Sequence, residues 1–141
     1  MKAIALLFFI ILVTASPVAA ADESGRRDLI VRVIQQQLDA FGRNDGEAAF
    51  SHAAPDIQAR FGTAAQFMSA VESGYAPLFR PRSVTFLDLF DQKETGGVVQ
   101  RVLVTGREGA QVMALYSMLQ MRSGAWRISG CLLVPAPGNP T

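Results

Sequence analysis

The sequence holds one cysteine, Cys131, and one histidine, His52. A single cysteine excludes an internal disulfide framework, a zinc ribbon and a CxxC redox pair. A single histidine excludes a metal site built on a histidine pair. Lysine is nearly absent: Lys2 and Lys93 stand alone and arginine supplies the remaining basic charge. Neither sign of charge dominates, with 13 Lys and Arg against 12 Asp and Glu. A general nucleic-acid binder carries a basic excess that this chain lacks. There is no GxSxG elbow, no glycine-rich phosphate loop and no internal repeat. No metal and no cofactor is expected. What the chain does hold is apolar: half of its residues are hydrophobic, which excludes a disordered or low-complexity protein. A length of 141 residues suits one domain.

Residues 1–21 read MKAIALLFFIILVTASPVAAA. Lys2 and the amino terminus give a positive start. Ala3 to Val13 is unbroken apolar sequence, and small residues with Pro17 follow. This is the layout of a secretory signal peptide, and Ala19-Ala20-Ala21 fits the small residues at a cleavage point. Cleavage is expected after Ala20 or Ala21, followed by export, with the periplasm as destination. The competing reading is an uncleaved anchor, because Ala3 to Ala21 carries no charge over nearly the length of a membrane span. Pro17 and the small residues argue against it, so no stable membrane insertion is expected after cleavage. Residues 22–135 then form a single domain, and the Pro- and Gly-bearing stretch 136–141 a flexible tail.

Within that domain, apolar residues recur at Leu29, Ile30, Val33, Ile34, Leu38 and Phe41. Arg32, Gln35, Gln36 and Asp39 lie opposite them. The spacing of three and four predicts an amphipathic helix over 24–42, ended by Gly42. Asn44-Asp45-Gly46-Glu47 resembles a capping box and predicts a short second helix from Asp45. A turn over Pro55 to Phe61 follows. Thr63, with Gln66 three residues on, predicts a cap for another helix that Gly74 stops. After Pro81 the period changes to two. Strands are predicted over 83–91, 97–105, 111–121 and 125–134, joined by short glycine-bearing gaps that demand hairpins. Helices segregated before an antiparallel meander make an α+β layer. The third strand is apolar on both sides: Met113, Leu115, Leu119 and Met121 on one, Val112, Ala114, Tyr116 and Met118 on the other. One side packs on the helices. The other requires a partner, most simply a second copy of the chain in a homodimer through the sheet, or a sheet curled around a cavity.

Several short pieces resemble a known family. They are Gln37-Leu38-Asp39-Ala40-Phe41, Ala53-Ala54-Pro55, Arg60-Phe61-Gly62, Ser73-Gly74-Tyr75-Ala76-Pro77, Arg80-Pro81-Arg82-Ser83-Val84, Leu115-Tyr116 and Trp126-Arg127-Ile128-Ser129-Gly130-Cys131. Together they span nearly all of residues 28–134. The chain resembles the bacterial family catalogued as domain of unknown function 4864. Its element order resembles the cone fold of the nuclear-transport-factor-two-like superfamily, which includes ketosteroid isomerases, polyketide cyclases and binding domains without activity. The resemblance implies helices on a curved, cone-like, four-stranded antiparallel sheet, and it assigns no activity by itself.

In enzymes of that superfamily, a catalytic Asp or His often follows the second helix. The resemblance therefore points to His52 and Asp56 as catalytic candidates, with Tyr116 as a donor inside the cone. Against this, Asp56 after Pro55 reads as a helix-start residue, and His52 as a surface histidine. Tyr116 reads equally as a core tyrosine with a satisfied hydroxyl. Tyr75, Arg80, Tyr116 and Trp126 are the candidate ligand-binding residues. Arg80 and Arg82 lie on a proline-stiffened connector and carry the guanidinium forks that recognise anions; the bland reading of this segment is a rigid link. Cys131 reads as a buried, inert thiol. The leading functional reading is a non-enzymatic exported domain that binds a small apolar or amphipathic ligand, or a protein partner. The alternative is a small isomerase, cyclase or hydrolase of the ketosteroid-isomerase-like type using His52 or Asp56.

Overall fold

The computed structural model describes residues 17–138. Residues 1–16 of the expected signal peptide and the last three residues of the expected tail lie outside them. The first helix, α1 (Pro17–Gly42), begins earlier than the periodicity predicts and runs through the expected cleavage point. Its inner stripe is Ile30, Ile34, Gln37, Leu38 and Phe41, all buried, at the spacing of one helix face. Leu29 does not join that stripe. It is 47% exposed, because the step of about 100° per residue that centres Ile30 on the sheet turns Leu29 to the margin.

Local chemistry starts and stops the shorter helices. Asp45 accepts the Ala48 N–H at 3.1 Å and so caps α2 (Gly46–Ser51). Pro55 opens α3 (Pro55–Phe61), where its missing N–H costs nothing. Gly62, at φ +79°, ends it in a conformation that favours glycine. Thr63 accepts the Gln66 N–H at 3.2 Å and caps α4 (Ala64–Gly74). A 3₁₀ turn, Ala76–Leu78, leads into the sheet.

The sheet has four antiparallel strands in sequence order: β1 (Ser83–Gln92), β2 (Gly97–Thr105), β3 (Gln111–Gln120) and β4 (Trp126–Pro135). It is curved and unclosed, and with the helices it makes the α+β arrangement expected. Gly97 is required at the start of β2. A Cβ there would sit 2.6 Å from the Met118 carbonyl oxygen.

Two bulges bend the sheet. In β1 the register shifts between Phe86 and Leu89. The freed carbonyls are taken by side chains: Gln100 donates to Leu87 and Asp88 at 3.0 and 3.3 Å, and Arg27 of α1 donates to Phe86 and Leu87 at 3.2 and 2.8 Å. In β4 the register shifts opposite Ser117 and Met118, which leaves Ser129 as the extra residue. Bulges raise local twist and turn strands. The outer edge of β4 is partly covered, because Ala53 forms a parallel bridge with Ile128. Ala54 donates to the Ile128 carbonyl and Ile128 to the His52 carbonyl, both at 2.8 Å.

The strand pairing sorts side chains into two faces. Val102, Val104, Ala114, Tyr116, Met118 and Ile128 face the helices and join Ile30, Ile34 and Phe41 in the core. Phe67 of α4 gathers an aromatic group there, with ring centroids 6.2 Å from Phe41, 5.3 Å from Phe50 and 5.6 Å from Phe61. The outer face carries Leu103, Met113, Leu115, Leu132 and Val134, and Leu132 there is 59% exposed. Ala136, in the expected tail, is buried.

Candidate functional site

Helices and sheet do not fill the space between them. A cavity of about 220 Å³ remains. Phe41 of α1, Ile57 and Phe61 of α3, and Phe67 and Val71 of α4 form its helical wall. Tyr116 of β3 and Ile128 to Cys131 of β4 form its sheet wall. The β4 bulge explains why four consecutive residues contribute: Ser129 breaks the alternation that would turn every second one away. Arg60 is the charged residue on its lining, at the exposed outer end of α3. The character is that of a small-molecule pocket, apolar walls with few polar groups.

Four uncharged polar side chains line the cavity: Gln37, Tyr75, Tyr116 and the half-buried Ser129. Tyr75 donates its hydroxyl to the Cys131 carbonyl at 2.8 Å. Gln37 donates its amide to the Ala49 carbonyl at 3.0 Å. Tyr116 is fully buried, and apart from the adjacent Cys131 thiol its hydroxyl has no hydrogen-bond partner. Burial, and then the neighbouring Cys131 thiol and Tyr75, push the Tyr116 phenol well above its ordinary range. Burial likewise pushes the Cys131 thiol up to about 12. Both groups are therefore neutral at physiological pH. Neither is a nucleophile or a base there.

The cavity thus joins Tyr75 and Tyr116 among the expected binding residues. It does not include Arg80, Trp126, His52 or Asp56. Arg80 lies in a separate open groove between the end of α1 and the connector, with Arg43 and Arg82. Its backbone is left-handed, φ +50°, although a proline follows. Residues before proline avoid such conformations. The guanidinium Nε donates to the Gly42 carbonyl at 2.9 Å, so Arg80 satisfies an orphan carbonyl at the end of α1. Trp126 is buried and borders a surface cleft with Leu29, Arg32, His52 and Arg127. Burial first, and then the Arg127 charge, hold the His52 imidazole below its ordinary value. Asp56 is exposed in the first turn of α3, where a carboxylate suits the helix dipole. His52, Asp56 and Tyr116 are not brought into one pocket.

Gln37, Phe61 and Cys131 belong to the cavity, and sequence reasoning did not assign them to it. Gln37 left a signal, a polar residue on the buried stripe of α1. Phe61 and Cys131 left none, since each reads as ordinary core. Among the described residues no three His, Cys, Asp or Glu side chains cluster as metal ligands, and no helix is long and apolar enough to cross a membrane.

Residues 24–141 match the family described as Domain of unknown function (DUF4864). No curated protein and no solved structure matches the chain.

Proposed function

This chain belongs to the DUF4864 family, and we propose that it is a non-enzymatic domain that binds a small apolar or amphipathic ligand in the cavity between α1, α3, α4 and the sheet. The supporting observation is the cavity itself. Protein cores pack with few voids larger than a water, yet about 220 Å³ is kept open here and lined with aromatic and aliphatic side chains. That is below the roughly 300–1,000 Å³ of drug-sized pockets. It exceeds the engineered apolar cavity of about 150 Å³ that takes up benzene. The ligand is then of single-ring or short-chain size. The isomerase, cyclase or hydrolase alternative needs an acid or base in the cavity, and its candidates His52 and Asp56 lie elsewhere on the surface.

The cone-like placement within the nuclear-transport-factor-two-like superfamily is part of this proposal, supported by element order and the bent sheet. So is export to the periplasm with residues 1–21 as the signal peptide. Among the side chains described, Asp22 to Leu29 are not buried and Ile30 is the first that is. So too is a homodimer through the outer sheet face, supported by exposed Leu132 on an apolar row.

Native mass spectrometry of the protein from its own exported fraction tests these readings together. The expected result is a dimer starting at Ala21 or Asp22 with a small molecule retained. A protein that retains nothing, and whose unfolding temperature does not move with millimolar benzene, would remove the cavity-binding reading. A Leu132→Glu variant is expected to be monomeric; a wild type that is already monomeric would remove the dimer.

A further inference from the structure

We propose that the surface cleft between α1 and the start of β4 binds a small monocarboxylate with an apolar body, and that Arg32 and Arg127 hold the carboxylate. The cleft measures about 270 Å³. None of Arg32, His52 and Arg127 lines the cavity, so this site is independent of what the cavity takes up. One wall comes from α1, where Leu29, Arg32 and Val33 stand three and four positions apart on a single helix face. Leu29 is a large apolar side chain left 47% exposed there. The opposite wall comes from Trp126 and Arg127 at the start of β4, with His52 at the end of α2. The Arg127 guanidinium donates through Nη1 to the Ser51 carbonyl. That bond anchors the side chain beside His52 and leaves the other nitrogens of its fork.

The charge of the ligand follows from the donors. Arginine and tryptophan side chains donate hydrogen bonds and do not accept them. Among the described residues, no carboxylate, hydroxyl or amide side chain lines the cleft. The ion pairs of the described residues join Arg26 to Asp91, Arg43 to Asp45 and Arg101 to Asp88; neither Arg32 nor Arg127 takes part in one. The Arg127 charge reaches its neighbour: after burial, it helps to hold the His52 imidazole below its ordinary value. Two guanidinium groups without a counter-charge, among donors only, fit an oxyanion. The apolar body follows from the rest of the lining. Leu29, Val33 and Trp126 offer surface that a hydrated inorganic anion does not cover. The cleft exceeds the engineered cavity of about 150 Å³ that takes up benzene, so a single ring with a carboxylate arm fits.

The probe is phenylacetate, with acetate as its charged half and phenylethanol as its uncharged counterpart. His52 is the only histidine of the chain and lies on the lining, so its imidazole Hε1 resonance reports on this cleft and not on the cavity. At pH 8 the imidazole is neutral, and a shift then reads binding and not protonation. Phenylacetate is expected to move the resonance saturably. Acetate and phenylethanol should each need concentrations at least about fivefold higher, because each lacks one half of the interaction. Arg32 is exposed on α1, so Arg32→Gln tests its charge without disturbing the core. That variant should bind phenylacetate about fivefold more weakly, the scale of one partly exposed charge pair, and Arg32→Lys should recover part of the loss. Arg127→Gln should weaken binding likewise. A His52 resonance that phenylacetate leaves in place overturns the inference. So does equal binding of phenylacetate by wild type and Arg32→Gln, or a His52 response to phenylethanol as strong as that to phenylacetate. Acetate binding as tightly as phenylacetate overturns the apolar body. None of these results touches the cavity reading, which benzene tests separately.

Discussion

The Tyr75 hydroxyl donates to the main-chain carbonyl of Cys131 at 2.8 Å, joining residues 56 positions apart. The bond ties the end of α4 to β4 and fixes one side of the cavity. It also separates the two tyrosines of the chain, because Tyr75 bonds a main-chain carbonyl and Tyr116 does not. Removing the hydroxyl alone, as Tyr75→Phe, keeps the ring in place. The expected loss is about 1 kcal/mol of unfolding free energy. Urea unfolding reads it as a lower midpoint at unchanged slope. An unchanged midpoint would show that water replaces the hydroxyl without cost.

The Cys131 thiol should be silent in the folded chain. Burial holds it at about 12, and alkylating reagents attack the thiolate. At pH 8 the thiolate fraction is lower than that of an ordinary thiol by about three orders of magnitude. Iodoacetamide is expected to label the native chain far more slowly than the chain in urea. Labelling at equal rates would mean that the β4 wall of the cavity is open to solvent.

The residues that announce the fold are those whose effect is local. Asp45 and Thr63 cap helices through bonds to residues three positions on, and that chemistry is written in sequence order. The change from helical to two-residue periodicity marks the strands for the same reason, and every strand end falls within one residue of its predicted place. The cavity was legible in part. Alternation put Tyr116 on one face of β3, and two apolar faces on that strand implied a curled sheet or a partner. What was not legible depends on distant residues. The β1 bulge is stabilised by Arg27 and Gln100, and the sequence around Leu87 and Asp88 carries no mark of it. Arg80 reads as an anion-binding group because its local sequence hides Gly42, the partner it meets across the fold. His52 and Tyr116 lie on elements that tertiary packing directs to different sides of β4.

Gln100 holds the β1 bulge from within the core. It is fully buried, and its amide nitrogen serves the carbonyls of Leu87 and Asp88. Its own carbonyl oxygen is unpaired, so replacing the residue also removes one unsatisfied atom. Gln100→Leu nevertheless strands the Asp88 carbonyl and leaves Leu87 to Arg27 alone, and the expected net cost is about 2 kcal/mol. Full stability in Gln100→Leu would show that Arg27 alone maintains the bend.

His52 gives the chain a titration that can be read without ambiguity, since it is the only histidine in the sequence. Burial first, and the Arg127 guanidinium second, lower its pKa from 6.5. Below pH 6.5 the unfolded chain takes up a proton that the folded chain still refuses. The unfolded state then binds more protons, so stability falls as pH drops through this window and levels off below the folded-state pKa. Above 6.5 both states are neutral at this residue and it contributes no pH dependence. Nuclear magnetic resonance of the imidazole Hε1 proton should give one midpoint below 6.5. Arg127→Gln should raise it, and His52→Gln should lose less stability than wild type between pH 7 and pH 5. A midpoint at or above 6.5 would mean that the imidazole stands in solvent, outside the cleft it shares with Trp126.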